Sequence, residues 1–172
     1  MTSLKQEIVQ DPPFASVEEE ALLNVMRTSD SLHRAFHQKT RKWGITSTQY
    51  NVLRILRGAH PNGLTCSAIG DRMITAEPDI TRLLARLKAL KLIRQQRDKQ
   101  DRRAVWTHIS AAGLTLLSEM DPVILKAPKE LLGHLNTQEL REFIRLLELA
   151  RKSEEDGRSP VSCTGGPGSQ LC

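Results

Sequence analysis

Apolar residues in this chain fall mostly on helical spacing, interrupted once by a short stretch of strand-like alternation. The stretch up to Ala15 carries a Pro-Pro pair and little periodicity, which predicts a flexible arm over residues 1–15. Ser16-Val17-Glu18-Glu19 then forms a capping box, a Ser N-cap followed by a Glu three residues later. Behind it Leu22, Val25, Ser29, Leu32, Phe36 and Trp43 mark the seam of a long amphipathic helix that Gly44 stops. That stripe is longer than one small lobe can cover, so residues 16–45 are expected to pack against another chain.

A second capping box, Thr46-Ser47-Thr48-Gln49, opens a densely apolar helix carrying Tyr50, Val52, Leu53, Ile55 and Leu56, which ends in the loop His60-Pro61-Asn62-Gly63. Thr65 can cap a short third helix that buries Ala68, Ile69 and Met73. Beyond the turn at Ile74-Thr75, a fourth helix is predicted from about Ala76 to Leu90, with Ile80, Leu83, Leu84, Leu87 and Leu90 inward and Pro78 in its first turn. The period then changes. Leu92 to Arg97 and Ala104 to Ile109 read as two strands joined by the polar segment Asp98 to Arg103. Ser110 caps a fifth helix with Leu114, Leu116, Leu117, Met120 and Ile124, whose far end Pro122 and Pro128 can kink or break. Asn136-Thr137-Gln138-Glu139 opens a last helix with Leu140, Phe143, Ile144, Leu147 and Ala150, and the Gly/Pro/Ser-rich residues 153–172 read as a disordered tail.

Charge changes this picture more than composition does. The net charge is +5, yet the segment from Thr46 to Gly113 holds 12 Lys and Arg against 5 Asp and Glu, a balance of +7. The excess positive charge lies in that segment, as expected of a polyanion-binding module between neutral flanks, though a solvated basic face has the same composition. Hydrophobic residues at 39% suit a soluble globular chain, and no apolar run approaches a membrane span. The N-terminus lacks a secretory h-region, so a cytoplasmic protein is expected. Aromatics at 3% argue against base stacking on single strands. Neither a nucleophile–base–acid set nor a phosphate-cradling glycine loop is visible, which disfavours an enzyme.

Helix, tight turn, helix and charged hairpin is the order of a winged helix-turn-helix. The runs Ile80-Thr81-Arg82-Leu83-Leu84-Ala85-Arg86-Leu87, Leu92-Ile93-Arg94, Asp98-Lys99-Gln100-Asp101-Arg102-Arg103-Ala104-Val105 and Ile109-Ser110-Ala111-Ala112-Gly113 together resemble the MarR-type (multiple-antibiotic-resistance regulator) transcriptional regulators, over roughly residues 17–152. The resemblance implies a mainly α fold with a small β-hairpin wing. In it a winged DNA-binding core at 46–110 lies between dimerisation helices at 16–45 and 111–152. It implies a homodimer, with Leu22, Val25, Leu32, Phe36, Leu140, Phe143, Ile144 and Leu147 as dimerisation residues. The function implied is that of a repressor on a pseudo-palindromic double-stranded DNA operator.

Thr81 and Arg82 correspond to recognition-helix contacts in this resemblance, with Arg102 or Arg103 at the wing. Arg86 shares the face of Arg82 opposite the leucine stripe, and its alternative is a surface ion pair. One of Arg102 and Arg103 is expected to pair with Asp98 or Asp101 and the other to meet DNA, in an order the residues leave open. Ser67, Thr75 and Lys99 complete the expected contacts. Glu77 and Asp79 depart from the family's small polar or basic residues at the recognition-helix start; they suit the helix dipole, and a carboxylate can accept from cytosine N4.

The family commonly responds to small aromatic acids, which makes Arg34, His37, Arg41, Trp43 and Tyr50 candidate effector residues; the alternative is that Trp43 and Tyr50 are hinge core. No cofactor is called for. His33 and His37 have metal-ligand spacing but no third ligand nearby, so no metal site is expected. Cys66 reads as a small buried residue rather than a redox switch, and Cys163 and Cys172 lie in the tail, where a disulfide can close under oxidation. Two alternatives to the regulator stand. One is a winged-helix module that binds an acidic protein; the other is a redox- or metal-responsive version of the same regulator.

Overall fold

The computed structural model describes residues 2–98 and 104–155. It divides into two compact units, residues 1–131 and residues 132–172. The elements of the first unit are α1 (Leu4–Glu7), α2 (Val17–Arg41), α3 (Ser47–Gly58), β1 (Leu64–Thr65), α4 (Cys66–Gly70), α5 (Ile80–Ala89), β2 (Ile93–Arg97), β3 (Val105–Ile109) and α6 (Ala111–Ile124); α7 (Ala127–Leu132) ends at the boundary, and α8 (Thr137–Glu155) belongs to the second.

Side-chain caps start the helices where the sequence places them. The hydroxyls of Ser16, Thr46, Thr65 and Ser110 accept from the amides of Glu19, Gln49, Ala68 and Gly113, and Asn136 accepts from Gln138 and Glu139. The core of the first unit is built by Val52, Leu53 and Leu56 of α3, Ile69 of α4, Leu84 and Leu87 of α5, and Leu117 and Met120 of α6, all essentially inaccessible. The end of α2 joins it through Phe36, whose ring centroid lies 5.8 Å from that of Tyr50.

Several elements differ from the sequence expectation. Residues 1–15 are not wholly an arm: Ser3 opens α1 with a capping box, Leu4 is buried, and Glu7 pairs with Arg27 of α2 at 3.5 Å. The sheet has three strands in the order β1-β3-β2, all antiparallel. The unforeseen β1 spans two residues and exists only through its pairing of Leu64 with Thr107 and Thr65 with Trp106. Helix α5 begins at Ile80, four positions later than expected, so Pro78 precedes the helix instead of occupying its first turn. Asp79 is the N-cap and imposes that start. Helix α6 runs through Pro122 to Ile124, and α8 continues to Glu155. The expected tail beyond Glu155 lies outside the described residues, as do Cys163 and Cys172.

Two backbone features hold the wing against the helices. Lys91 adopts a left-handed conformation (φ 59°) while the amide of Leu92 bonds the carbonyl of Leu87 and that of Lys91 bonds Lys88. This is a Schellman ending that turns the chain from α5 into β2. Gly113 passes so close to the Leu92 carbonyl that a Cβ there would strike it, and Ser110 fixes the approach by donating its amide to the same carbonyl and its hydroxyl to that of Lys91.

Candidate nucleic-acid interface

Helix α5 sorts its side chains by face. Leu83, Leu84 and Leu87 point into the core, while Thr81, Arg82 and Arg86 are exposed. Asp79 Oδ1 accepts from the Arg82 amide at 2.9 Å, and Glu77 Oε1 accepts from the Asp79 amide at 3.4 Å. Asp79 therefore caps the helix. Glu77, Asp79, Arg82, Leu83 and Arg86 line a shallow, open depression of about 180 Å³, so two carboxylates and two guanidiniums share one patch. Among the described residues no carboxylate forms an ion pair with Arg82 or Arg86.

Ser67 on α4 and Thr75 in the connection to α5 are both exposed. The Cys66 thiol is hydrogen-bonded to Thr81; burial pushes its pKa up, and the bond to Thr81 opposes that only in part. In the hairpin, Asp98 Oδ2 accepts the indole N–H of Trp106 at 3.0 Å, and the Asp98 amide donates to the Ala104 carbonyl at 2.9 Å. These bonds close the base of the wing. Lys99, Arg102 and Arg103 lie outside the described residues, as does the expected pairing of one arginine with Asp98 or Asp101. Arg94 and Arg97 of β2, which the sequence reading passed over, are exposed cations on the same hairpin. The alternation signals Arg94, which alternates with buried Ile93, whereas Arg97 shares the parity of Ile93 and is exposed at the far end of the strand.

The effector candidates have different surroundings. Arg34 pairs with Asp30 one turn back at 2.7 Å, His37 is half-buried and Arg41 exposed. Trp43 packs on the core beneath the Lys42 ammonium, 4.0 Å from its ring centroid, and Tyr50 is buried, with its hydroxyl pKa raised chiefly by that burial. His33 approaches Ser47 instead, at 3.4 Å. Of the expected dimerisation residues, Leu22, Val25 and Ile144 are exposed, Leu32, Leu140, Phe143 and Leu147 half-buried, and Phe36 is taken up by the core. Met26, Leu146 and Leu149 are exposed apolar residues missed from the pattern. Among the described residues no group of three or more His, Cys, Asp or Glu is placed to hold a metal ion, and no helix is long and apolar enough to cross a membrane.

Residues 43–104 match the model of the MarR family. A MarR transcription factor from Planctomyces limnophilus is 38% identical, with a TM-score of 0.62, over 80% of this chain and 99% of that one. The chain belongs to the MarR family. The transcriptional regulator HosA of Escherichia coli O157:H7 is 26% identical over 121 residues, 67% of this chain and 88% of HosA. Among solved structures with the MarR fold, BpsR of Bordetella bronchiseptica has a TM-score of 0.68 at 24% identity over 77% of this chain and 98% of BpsR; its structure is described as the mechanism by which 6-hydroxynicotinic acid regulates its DNA binding. Members of the MarR family are transcriptional regulators, and this chain stands among them and not among enzymes.

Proposed function

We propose that this MarR protein binds double-stranded DNA as a homodimeric repressor in the cytoplasm, inserting α5 into the major groove of each half of a pseudo-palindromic operator. The observation that carries this reading is the division of α5, whose leucines are buried while Thr81, Arg82 and Arg86 are exposed at its outer face. A guanidinium there can grip guanine O6 and N7 or clamp a phosphate. The dimer is supported by Leu22, Val25 and Met26 of α2, apolar residues on one helix with nothing over them. Arg94 and Arg97 add two exposed cations on β2 of the hairpin.

Duplexes selected from a random pool test the reading. Two-fold symmetry demands half-sites about 10 bp apart. Arg82→Ala should weaken the selected site by roughly 1–3 kcal/mol and relax preference at one position. Loss of discrimination against an acidic protein surface, with no selected duplex, would favour the protein-binding alternative.

The same reading includes release by a small aromatic acid, supported by the response of BpsR to 6-hydroxynicotinic acid and by the Lys42 ammonium over the Trp43 ring. An effector releases DNA only if it binds the free dimer more tightly than the DNA-bound one. Calorimetric titration with salicylate, with and without the selected duplex, reads that difference, and equal affinities would remove the effector from the proposal.

A further inference from the structure

Met73 and Ile74 are adjacent apolar residues in the connection between α4 and α5, and the fold treats them in opposite ways. Met73 packs against the core, whereas Ile74 is 82% exposed. Its placement is fixed by the backbone, because the Ile74 amide donates to Asn51 Oδ1 of α3 at 3.1 Å. In the described part of the winged core the other exposed large hydrophobic is Leu90, at 49%. An isoleucine held in water by a bond from a neighbouring helix contributes nothing to the core that packs beside it. Ile74 lies five positions ahead of the Asp79 cap, on the segment that leads into the exposed Thr81 and Arg82.

We propose that Ile74 is a base-reading residue that packs on the C5-methyl group of a thymine in each half-site. This rests on DNA binding through α5 and adds to it an apolar, methyl-specific contact beside the guanidinium contacts. The major groove presents one apolar group, the thymine methyl, and an aliphatic side chain is the chemistry that distinguishes it from cytosine. A β-branched side chain anchored through its own amide has few rotamers to lose on contact. Glu77 and Asp79 follow Ile74 by three and five positions, and two carboxylates in this connection disfavour phosphate and favour a base edge as the neighbour of Ile74.

The experiment uses the full chain and the duplex selected from a random pool. Each thymine is replaced singly by deoxyuridine, which removes the methyl and keeps the pairing, and affinity is measured for wild type, Ile74→Val and Ile74→Ala. The expected result is one thymine per half-site whose replacement weakens wild type about fourfold, the loss of one buried methyl. At that thymine Ile74→Val should keep most of the sensitivity and Ile74→Ala should show none, while all three proteins melt alike. Identical deoxyuridine profiles for wild type and Ile74→Ala, or a wild type indifferent to every replacement, would overturn the contact while leaving DNA binding intact. Failure of wild type to select or bind any duplex would overturn the regulator reading, and this one with it.

Discussion

The guanidinium of Arg57 grips the carboxylate of Asp121 with two hydrogen bonds, 2.8 and 3.2 Å long, and so ties α3 to α6. The bond to Asp121 holds the Arg57 pKa above even its usual high value. Fork-on-fork pairs of this kind are directional, and this one is about two-thirds shielded from solvent. Asp121→Asn keeps the shape but removes the charge, and should lower unfolding free energy by about 1 kcal/mol in urea titrations. Protein concentration must be held fixed, since association adds to apparent stability. An unchanged midpoint would reduce the pair to a solvated surface contact.

Lys91 occupies the left-handed position of the Schellman ending, where a residue with a Cβ is strained. Lys91→Gly should relieve that strain and raise stability by about 1 kcal/mol, less the extra freedom glycine has in the unfolded chain. A thermal midpoint that falls would mean that the lysine side chain has contacts worth more than the strain.

Gly113→Ala should act in the opposite direction. The new methyl would meet the Leu92 carbonyl and the Ile109 side chain, both fixed by the sheet and the Ser110 bonds. A loss of about 1–3 kcal/mol is expected, the usual range for overpacking a tight site. Because Leu92 begins the wing, amide exchange in β2 and β3 should rise with it. Exchange that changed only in α6 would contradict this coupling.

Cys66 should alkylate slowly at neutral pH. Burial raises its pKa more than the Thr81 bond lowers it, so less thiolate exists near pH 7 than for a free thiol. The sign follows: iodoacetamide rates should stay below those of free cysteine and climb only at more alkaline pH. The measurement is made in the Cys163→Ser, Cys172→Ser background. A rate above that of free cysteine at pH 7 would reverse this assignment and favour the redox-responsive alternative.

What could be read from the residues was whatever depends on near neighbours. The Ser16, Thr46, Thr65, Ser110 and Asn136 caps each need only a hydroxyl or amide and an amide two or three positions on, and all five formed. Strand β1 was not legible, because two residues cannot show alternation and its partner Thr107 is 43 positions away along the chain. The Arg57–Asp121 pair spans 64 positions and has no local signal. The start of α5 was misjudged because apolar spacing can be extended backward from Ile80 on paper, whereas Asp79 takes the Arg82 amide and ends that freedom. In the candidate site, Arg82 and Arg86 followed from periodicity, while the backbone at Ile74 is held by Asn51, 23 positions away, which no local pattern shows.

The Asp79 cap also bears on how this protein would search for its target. A bare helix N-terminus welcomes any phosphate, whatever the sequence nearby. Here that positive end is already occupied by a carboxylate of the chain itself, with Glu77 beside it. If α5 reads DNA as proposed, a helix end closed in this way adds little of its own to the grip on phosphate, which is left to the cations around it, and base edges weigh more in its hold. On mismatched sequence it should let go quickly, so time along a chromosome is spent in many brief visits and few long pauses.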